Sequence, residues 1–86
     1  MLLVVRLRYT LISMSDLRKQ FGKRLKTLRL QAGYTQEKLA EEVGISVDFL
    51  SLMERGINAP SFDNIEKLAN SLGISIQELF EFKGND

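Results

Sequence analysis

Four side chains in one short segment have the spacing of a binding face. They occupy positions i, i+1, i+4 and i+5 of a helical stretch, so a helix places them on one side: Val47, Asp48, Ser51 and Leu52. An exposed helix of this size fits the major groove of duplex DNA. There Ser51 could donate to or accept from a base edge, and Asp48 could accept from a cytosine amine. Val47 and Leu52 could contact thymine methyl groups, so the four side chains are candidates for base readout.

The helix that carries this face is predicted to span residues 46–55. Ser46 is placed to cap it, and Gly56 to end it. Leu50 and Met53 lie on the opposite side and are expected to pack on the protein. The predicted helix therefore has one side for the core and one side for a partner.

Another short helix is predicted for residues 35–43. One sharp corner separates it from the 46–55 helix that follows. Thr35 can cap it, because a threonine oxygen accepts from the free N–H groups of a first helical turn. Leu39 and Val43 recur at a spacing of four residues and give it an apolar stripe. Gly44 ends it in the left-handed conformation that glycine adopts without steric cost. Two short helices joined in this way are the sequence pattern of a helix-turn-helix.

These segments belong to a longer ordered pattern between residues 21 and 80. Its pieces are LKTLRLQAGYTQEKLAEEVGIS, FLSLMERGINAPS and IEKLANSLGIS followed by IQELF. The combination resembles the lambda-repressor/Cro-like helix-turn-helix family, also called the XRE family, over about two-thirds of the chain. The resemblance implies a compact, all-α, five-helix DNA-binding domain. It also implies a homodimeric transcriptional regulator that binds double-stranded DNA at a two-fold operator.

Residues for binding the DNA backbone follow from the same resemblance. Gln36, at the start of the first helix of the motif, matches the family's phosphate-binding glutamine, and free N–H groups at a helix start favour an anion. Ser46, Arg55 and Asn58 flank the 46–55 helix and are further phosphate candidates. Lys26 and Lys38 are weaker ones.

Two charged residues lie on the core side of their helices. Arg29 follows Leu25 by four residues, and Glu54 follows Leu50 by four residues. A charge held against an apolar core is costly unless it is paired. The pattern, together with the equivalent positions in the family, predicts an Arg29–Glu54 salt bridge whose breakage costs about 3–5 kcal/mol.

Composition narrows the function classes. The 86 residues include no cysteine and no histidine, which removes disulfides, thiolate metal ligands and the commonest general base. The sequence also contains no glycine-rich phosphate loop. We therefore expect no enzyme, no metal, no cofactor and no small-molecule ligand. The apolar run at the N-terminus is too short for a membrane span and is broken by Arg6 and Arg8, which predicts a cytoplasmic protein.

Charge is distributed unevenly although the net charge is only +1. Residues 1–34 contain eight basic residues and one acidic residue, a net charge of +7, whereas residues 35–86 contain four basic and ten acidic ones, a net charge of −6. A basic surface on one side of the fold can therefore meet a polyanion. The other interpretation is that the basic residues only solvate the outer face of the N-terminal helix, which is predicted to end near Ala32.

The remaining helices follow from apolar periodicity and caps. The first helix is expected to start at a Ser15 or Asp16 cap and to end near Ala32. Its buried stripe is predicted as Leu17, Phe21, Leu25, Leu28 and Ala32, and its outer side as Arg18, Lys19, Lys23 and Lys26. Ser61 and Ser75 are predicted to cap two further helices, and Phe82 is expected to fray with the polar tail.

Three regions are predicted: residues 1–14 as an extension, 15–82 as the DNA-binding domain and 83–86 as a polar tail. Alternating apolar and polar residues from Val5 to Leu11 predict a strand. An unpaired strand edge would recruit a second chain, so this strand could pair across a dimer. Alternatively, the extension is incidental.

Two functions stay open: the DNA-binding regulator, and an antitoxin-type or other protein-interaction module with the same fold.

Overall fold

The computed structural model describes residues 14–82, with side chains described from Asp16 onward. Five α-helices fill this range, and it contains no strand: α1 (Met14–Gln31), α2 (Gln36–Val43), α3 (Val47–Glu54), α4 (Phe62–Leu72) and α5 (Ile76–Leu79). The prediction of a compact all-α, five-helix fold is confirmed. The predicted strand and the polar tail lie outside the described residues.

Each helix contributes to one core. The six fully buried large side chains come from all five helices: Leu25, Leu39, Leu50, Met53, Leu68 and Leu79. Burying one such side chain stabilises a fold by about 1.5–3 kcal/mol. α1 packs on α3 and α5, α2 packs on α3 and α4, and α4 packs on α5. The helix-turn-helix pair α2–α3 therefore lies between α1 and α4.

Local signals set the corners of the helix-turn-helix as predicted. The side-chain oxygen of Thr35 accepts from the N–H of Lys38 at 3.1 Å, and that of Ser46 accepts from the N–H of Phe49 at 3.0 Å. Gly44 ends α2 with φ of 81°, a left-handed conformation that favours glycine. Thr35 and Ser46 are thus caps outside the helices, which shortens the two predicted helices by a residue or two at their ends.

α1 approaches α3 so closely that only glycine fits at the contact. A Cβ atom added to Gly22 would lie 2.4 Å from the carbonyl oxygen of Met53 and 2.6 Å from that of Glu54. Both obstacles are backbone atoms, which cannot move aside as a flexible side chain can. Gly22 therefore allows the end of α3 to rest directly on α1.

The predicted start of α1 and two of its predicted buried residues are wrong. α1 already begins at Met14, so Asp16 lies in its first turn, where a negative charge favours the helix dipole, and is no cap. Leu17 is 39% exposed, because it lies one turn before Phe21 at the edge of the core, and Ala32 is exposed beyond the end of α1.

At the other end of the domain, Phe82 does not fray as predicted. Its side chain packs against the core, and its ring lies 6.0 Å from that of Phe80. Among the described residues, no helix has the length and apolarity required to cross a membrane.

Candidate nucleic-acid interface

α3 has two sides with opposite environments. Leu50 and Met53 are fully buried, and Glu54 is 8% exposed. On the other side, Val47 is 36% exposed, Asp48 is exposed, and Ser51 and Leu52 are half-buried. The four predicted base-contacting residues thus remain accessible along α3, most of all at its N-terminal end. Phe49 is half-buried and packs against the core.

Asp48 has a local structural role that the sequence analysis did not supply. It lies in the first turn of α3, where a negative charge stabilises the helix through its dipole. Ser46, one residue before α3, uses its oxygen to cap the same turn, and its O–H remains a donor. The start of α3 is therefore fixed by its own side chains.

The end of α3 is held by the predicted ion pair. Arg29 Nε donates to Glu54 Oε2 at 2.6 Å, and Arg29 Nη2 donates to Glu54 Oε1 at 3.1 Å. The two residues are 6% and 8% exposed, so the pair is largely shielded from water. Arg29 Nη1 also donates to the carbonyl of Tyr34 at 2.8 Å. One guanidinium consequently ties α1 to the end of α3 and to the residue before the α2 cap.

Gln36, which the resemblance predicts as a phosphate contact, also has a partner within the protein. It is half-buried, and its Nε2 donates to Glu54 Oε1 at 3.0 Å. This contact was not predictable from the sequence, because nothing in the spacing of the two residues shows that the start of α2 meets the end of α3. The first residue of α2 is thereby joined to the buried ion pair.

The other predicted phosphate contacts are spread around α2 and α3. Arg55 is exposed directly after α3, and Asn58 is half-buried in the following turn, where its N–H donates to the carbonyl of Leu52 at 3.3 Å. Lys26 is exposed on α1. Lys38 is exposed on α2, but its Nζ lies 3.5 Å from a carboxylate oxygen of Glu41, so its charge is partly compensated.

Lys19 is a candidate that the sequence analysis did not single out. It is exposed on α1, and its backbone and side chain lie against Gly56, the residue after Arg55. A Cβ added to Gly56 would lie 2.8 Å from the Lys19 Cα. Lys23 and Lys26 follow at helical spacing and are also exposed, so a basic stripe starts beside the end of α3.

Two other arginines of α1 do not belong to that stripe. Arg24 Nε donates to the carbonyl of Glu78 at 3.0 Å, and its guanidinium lies 3.7 Å from Glu81. Arg18, predicted on the outer side, is half-buried, and its Nε is buried without a hydrogen-bond partner in the described part of the chain. Arg24 thus fastens α1 to the end of the domain.

Tyr34, at the corner before α2, is tied to α4. Its hydroxyl donates to the carbonyl of Ser71 at 3.3 Å. The Glu42 carboxylate is a competing acceptor for the same hydroxyl hydrogen and raises the pKa of Tyr34 above 10.0; desolvation and the negative charge of Glu42 act in the same direction. The hydrogen bond from Tyr34 to Ser71 thus ties the corner before α2 to α4.

Comparison with known proteins agrees with this geometry. The family model described as helix-turn-helix matches residues 25–79. Control protein C.BamHI of Bacillus amyloliquefaciens is 36% identical over 69 residues, which cover 79% of this chain and 85% of that protein.

Solved structures are similar as well. The crystal structure of the restriction-modification controller protein C.AhdI from Aeromonas hydrophila has a TM-score of 0.71 and 41% identity, covering 73% of this chain and 96% of that chain. The N-terminal DNA-binding domain of SinR from Bacillus subtilis has a TM-score of 0.70 and 32% identity, covering 78% and 99%. The chain thus belongs to the helix-turn-helix family of DNA-binding transcriptional regulators, the XRE family, which are not enzymes.

Proposed function

We propose that this protein is a sequence-specific regulator that binds double-stranded DNA as a homodimer and inserts α3 into the major groove. One observation carries the proposal: α3 buries one side completely and leaves Val47, Asp48, Ser51 and Leu52 accessible on the other. In a helix-turn-helix, the N-terminal residues of the second helix contact the base edges. These are the most exposed residues of α3.

The chemistry of this face favours a mixture of direct and shape-dependent readout. Ser51 offers a hydroxyl to a base edge, Val47 and Leu52 offer apolar contact with thymine methyl groups, and Asp48 accepts from a cytosine amine. None of the four is an arginine, asparagine or glutamine, the side chains with the best bidentate base contacts. Part of the specificity therefore comes from the sequence-dependent shape of the DNA.

Phosphate contacts on both sides of α3 would set its orientation in the groove. Gln36 and the N–H groups at the start of α2 lie on one side, and Arg55 and Asn58 follow α3 on the other. Ser46 contributes its hydroxyl. Lys19 and Lys26 extend the basic surface along α1, and Lys38 contributes less, because Glu41 partly compensates its charge.

The small size of the reading face supports a homodimer. A single α3 of eight residues reaches only a few base pairs. Two copies related by a two-fold axis double the contacts on an operator whose half-sites lie about 34 Å apart. Sedimentation that shows only monomers at high protein concentration, with and without DNA, would remove this part of the proposal. Action on DNA fits the cytoplasmic location predicted from the sequence, which stays a prediction.

Two of the similar proteins favour a controller role as the physiological role. The chain spans 85% of the control protein C.BamHI and 96% of the restriction-modification controller C.AhdI. Binding to the DNA immediately upstream of a neighbouring restriction or modification gene would support this role. Binding confined to unrelated operators would contradict it.

A gel-shift series across salt concentrations tests the function itself. The duplex is first obtained by selection from a random DNA pool, and it is then compared with random duplex of the same length. A specific regulator binds the selected duplex about 10³-fold or more tightly, and its affinity falls as salt rises. Equal affinity for both duplexes would contradict the regulator and favour the protein-interaction module.

A further inference from the structure

We propose that Glu54 is a positioning residue that orients the Gln36 amide for a DNA phosphate. This inference rests on the proposed DNA-binding function. Gln36 is the first residue of α2, and Glu54 is the last residue of α3. Their side chains meet at 3.0 Å, with Gln36 Nε2 as the donor and Glu54 Oε1 as the acceptor. The contact joins a residue at the partly open start of α2 to a buried charge.

The ion pair makes Glu54 a rigid support. Both of its carboxylate oxygens accept from Arg29, one at 2.6 Å and the other at 3.1 Å. A bidentate arginine–carboxylate contact fixes the plane of the carboxylate as well as its position. Arg29 also donates to the carbonyl of Tyr34, two residues before Gln36. The same guanidinium therefore fixes both Glu54 and the chain segment that leads into α2.

Hydrogen-bond chemistry then determines which end of the amide points inward. An ionised carboxylate only accepts hydrogen bonds, so Glu54 selects the amide orientation with Nε2 toward it. One of the two amide hydrogens is used in this contact. The other hydrogen has no protein partner among residues 14–82, and a phosphate oxygen also only accepts. The amide nitrogen is therefore poised between two acceptors, a carboxylate inside and a phosphate outside.

The Arg29–Glu54 ion pair would thus have two roles. It ties α1 to α3, and through its contact with Gln36 it orients the Gln36 amide donor on the side of α2 that faces DNA. Without the charge of Glu54, the amide could reverse and turn its oxygen, which phosphate repels, toward the DNA. The expected consequence is that the contribution of Gln36 to binding depends on Glu54.

A double-mutant cycle on duplex binding tests the dependence. Gln36→Met keeps the length of the side chain and removes its donors, and we expect affinity for the selected duplex to fall about tenfold or more. The slope of affinity against salt should stay the same, because glutamine carries no charge. Gln77→Met, an exposed glutamine of α5, is the matched control and should bind as the wild type does.

The decisive comparison repeats Gln36→Met in a Glu54→Gln background. The neutral amide at position 54 can donate as well as accept, so it no longer selects one orientation of Gln36. The proposal expects the effect of Gln36→Met to shrink from about tenfold to less than about threefold in this background. An equal loss in both backgrounds would show that Glu54 has a structural role only and would overturn the proposal.

Nuclear magnetic resonance of the Gln36 side-chain NH₂ decides the question if Glu54→Gln does not fold. In the wild-type protein, the two amide protons should be distinct, and the selected duplex should shift the proton that points away from Glu54 more than the other. Two protons that respond equally, or neither responding, would overturn the proposal. If the wild type binds no selected duplex, the proposed function itself fails; if it binds and Gln36→Met binds equally well, only the positioning role fails.

Discussion

Removal of Arg29 should destabilise the domain more than any exposed substitution, because it leaves a buried carboxylate unpaired. Glu54 is 8% exposed, and two of its three hydrogen bonds come from Arg29. Breaking a buried ion pair from one side costs about 3–5 kcal/mol. Native proteins have a total stability of about 5–15 kcal/mol, so at the lower end of that range Arg29→Met would bring the domain near its unfolding midpoint.

Urea unfolding followed by far-ultraviolet circular dichroism measures the effect. Lys26→Met on the exposed side of α1 is the matched control and should stay within about 0.5 kcal/mol of the wild type. The double variant Arg29→Met/Glu54→Leu should recover most of the loss, since it removes both charges together. A loss below about 1 kcal/mol in Arg29→Met alone would contradict a buried, paired carboxylate, because it would mean that the carboxylate stays solvated.

Three further substitutions test other parts of the account. Gly22→Ala should lower the free energy of unfolding by about 1–3 kcal/mol, because the added methyl group overpacks against the α3 carbonyls, although alanine favours helix by about 1 kcal/mol. Thr27→Ala, exposed on the same helix, should be neutral or slightly stabilising in the same urea experiment. Ser46→Ala and Ser75→Ala should each cost about 1 kcal/mol as lost caps, but only Ser46→Ala should also weaken duplex binding; equal binding by both variants would remove Ser46 from the interface. Folding raises the pKa of Tyr34 above 10.0, so the stabilising effect of this pKa shift is present below pH 10.0 and is lost as pH rises through the folded pKa. A tyrosinate absorbance titration of the Tyr9→Phe variant should show Tyr34 ionising at a higher pH in the folded protein than in the urea-unfolded protein. A reversed order would contradict the assigned contacts.

The helix-turn-helix was predictable because its signals are local. Thr35, Gly44 and Ser46 act through hydrogen bonds and backbone preferences within a few residues, and each has its predicted role in the structure. The Arg29–Glu54 pair was predictable for a related reason. Helical spacing places both charges on the core side of their helices, and burial then requires a partner.

What escaped the sequence analysis depends on distances between helices. Periodicity indicates the inward side of α1 but not how far the core extends, so Leu17 was assigned to a core that it only borders. The need for glycine at position 22 appears only when α1 rests on the α3 carbonyls. The Gln36–Glu54 contact likewise depends on how α2 and α3 meet, and no local pattern encodes it.

The proposed function requires that the accessible side of α3 is the surface that meets DNA. Titration of ¹⁵N-labelled protein with the selected duplex, followed by backbone amide resonances, tests it most directly. The largest changes should fall at Val47, Asp48 and Ser51 and at the start of α2, with little change in α5. Changes confined to α4 and α5, with the amides of α3 unaffected by a bound duplex, would contradict it.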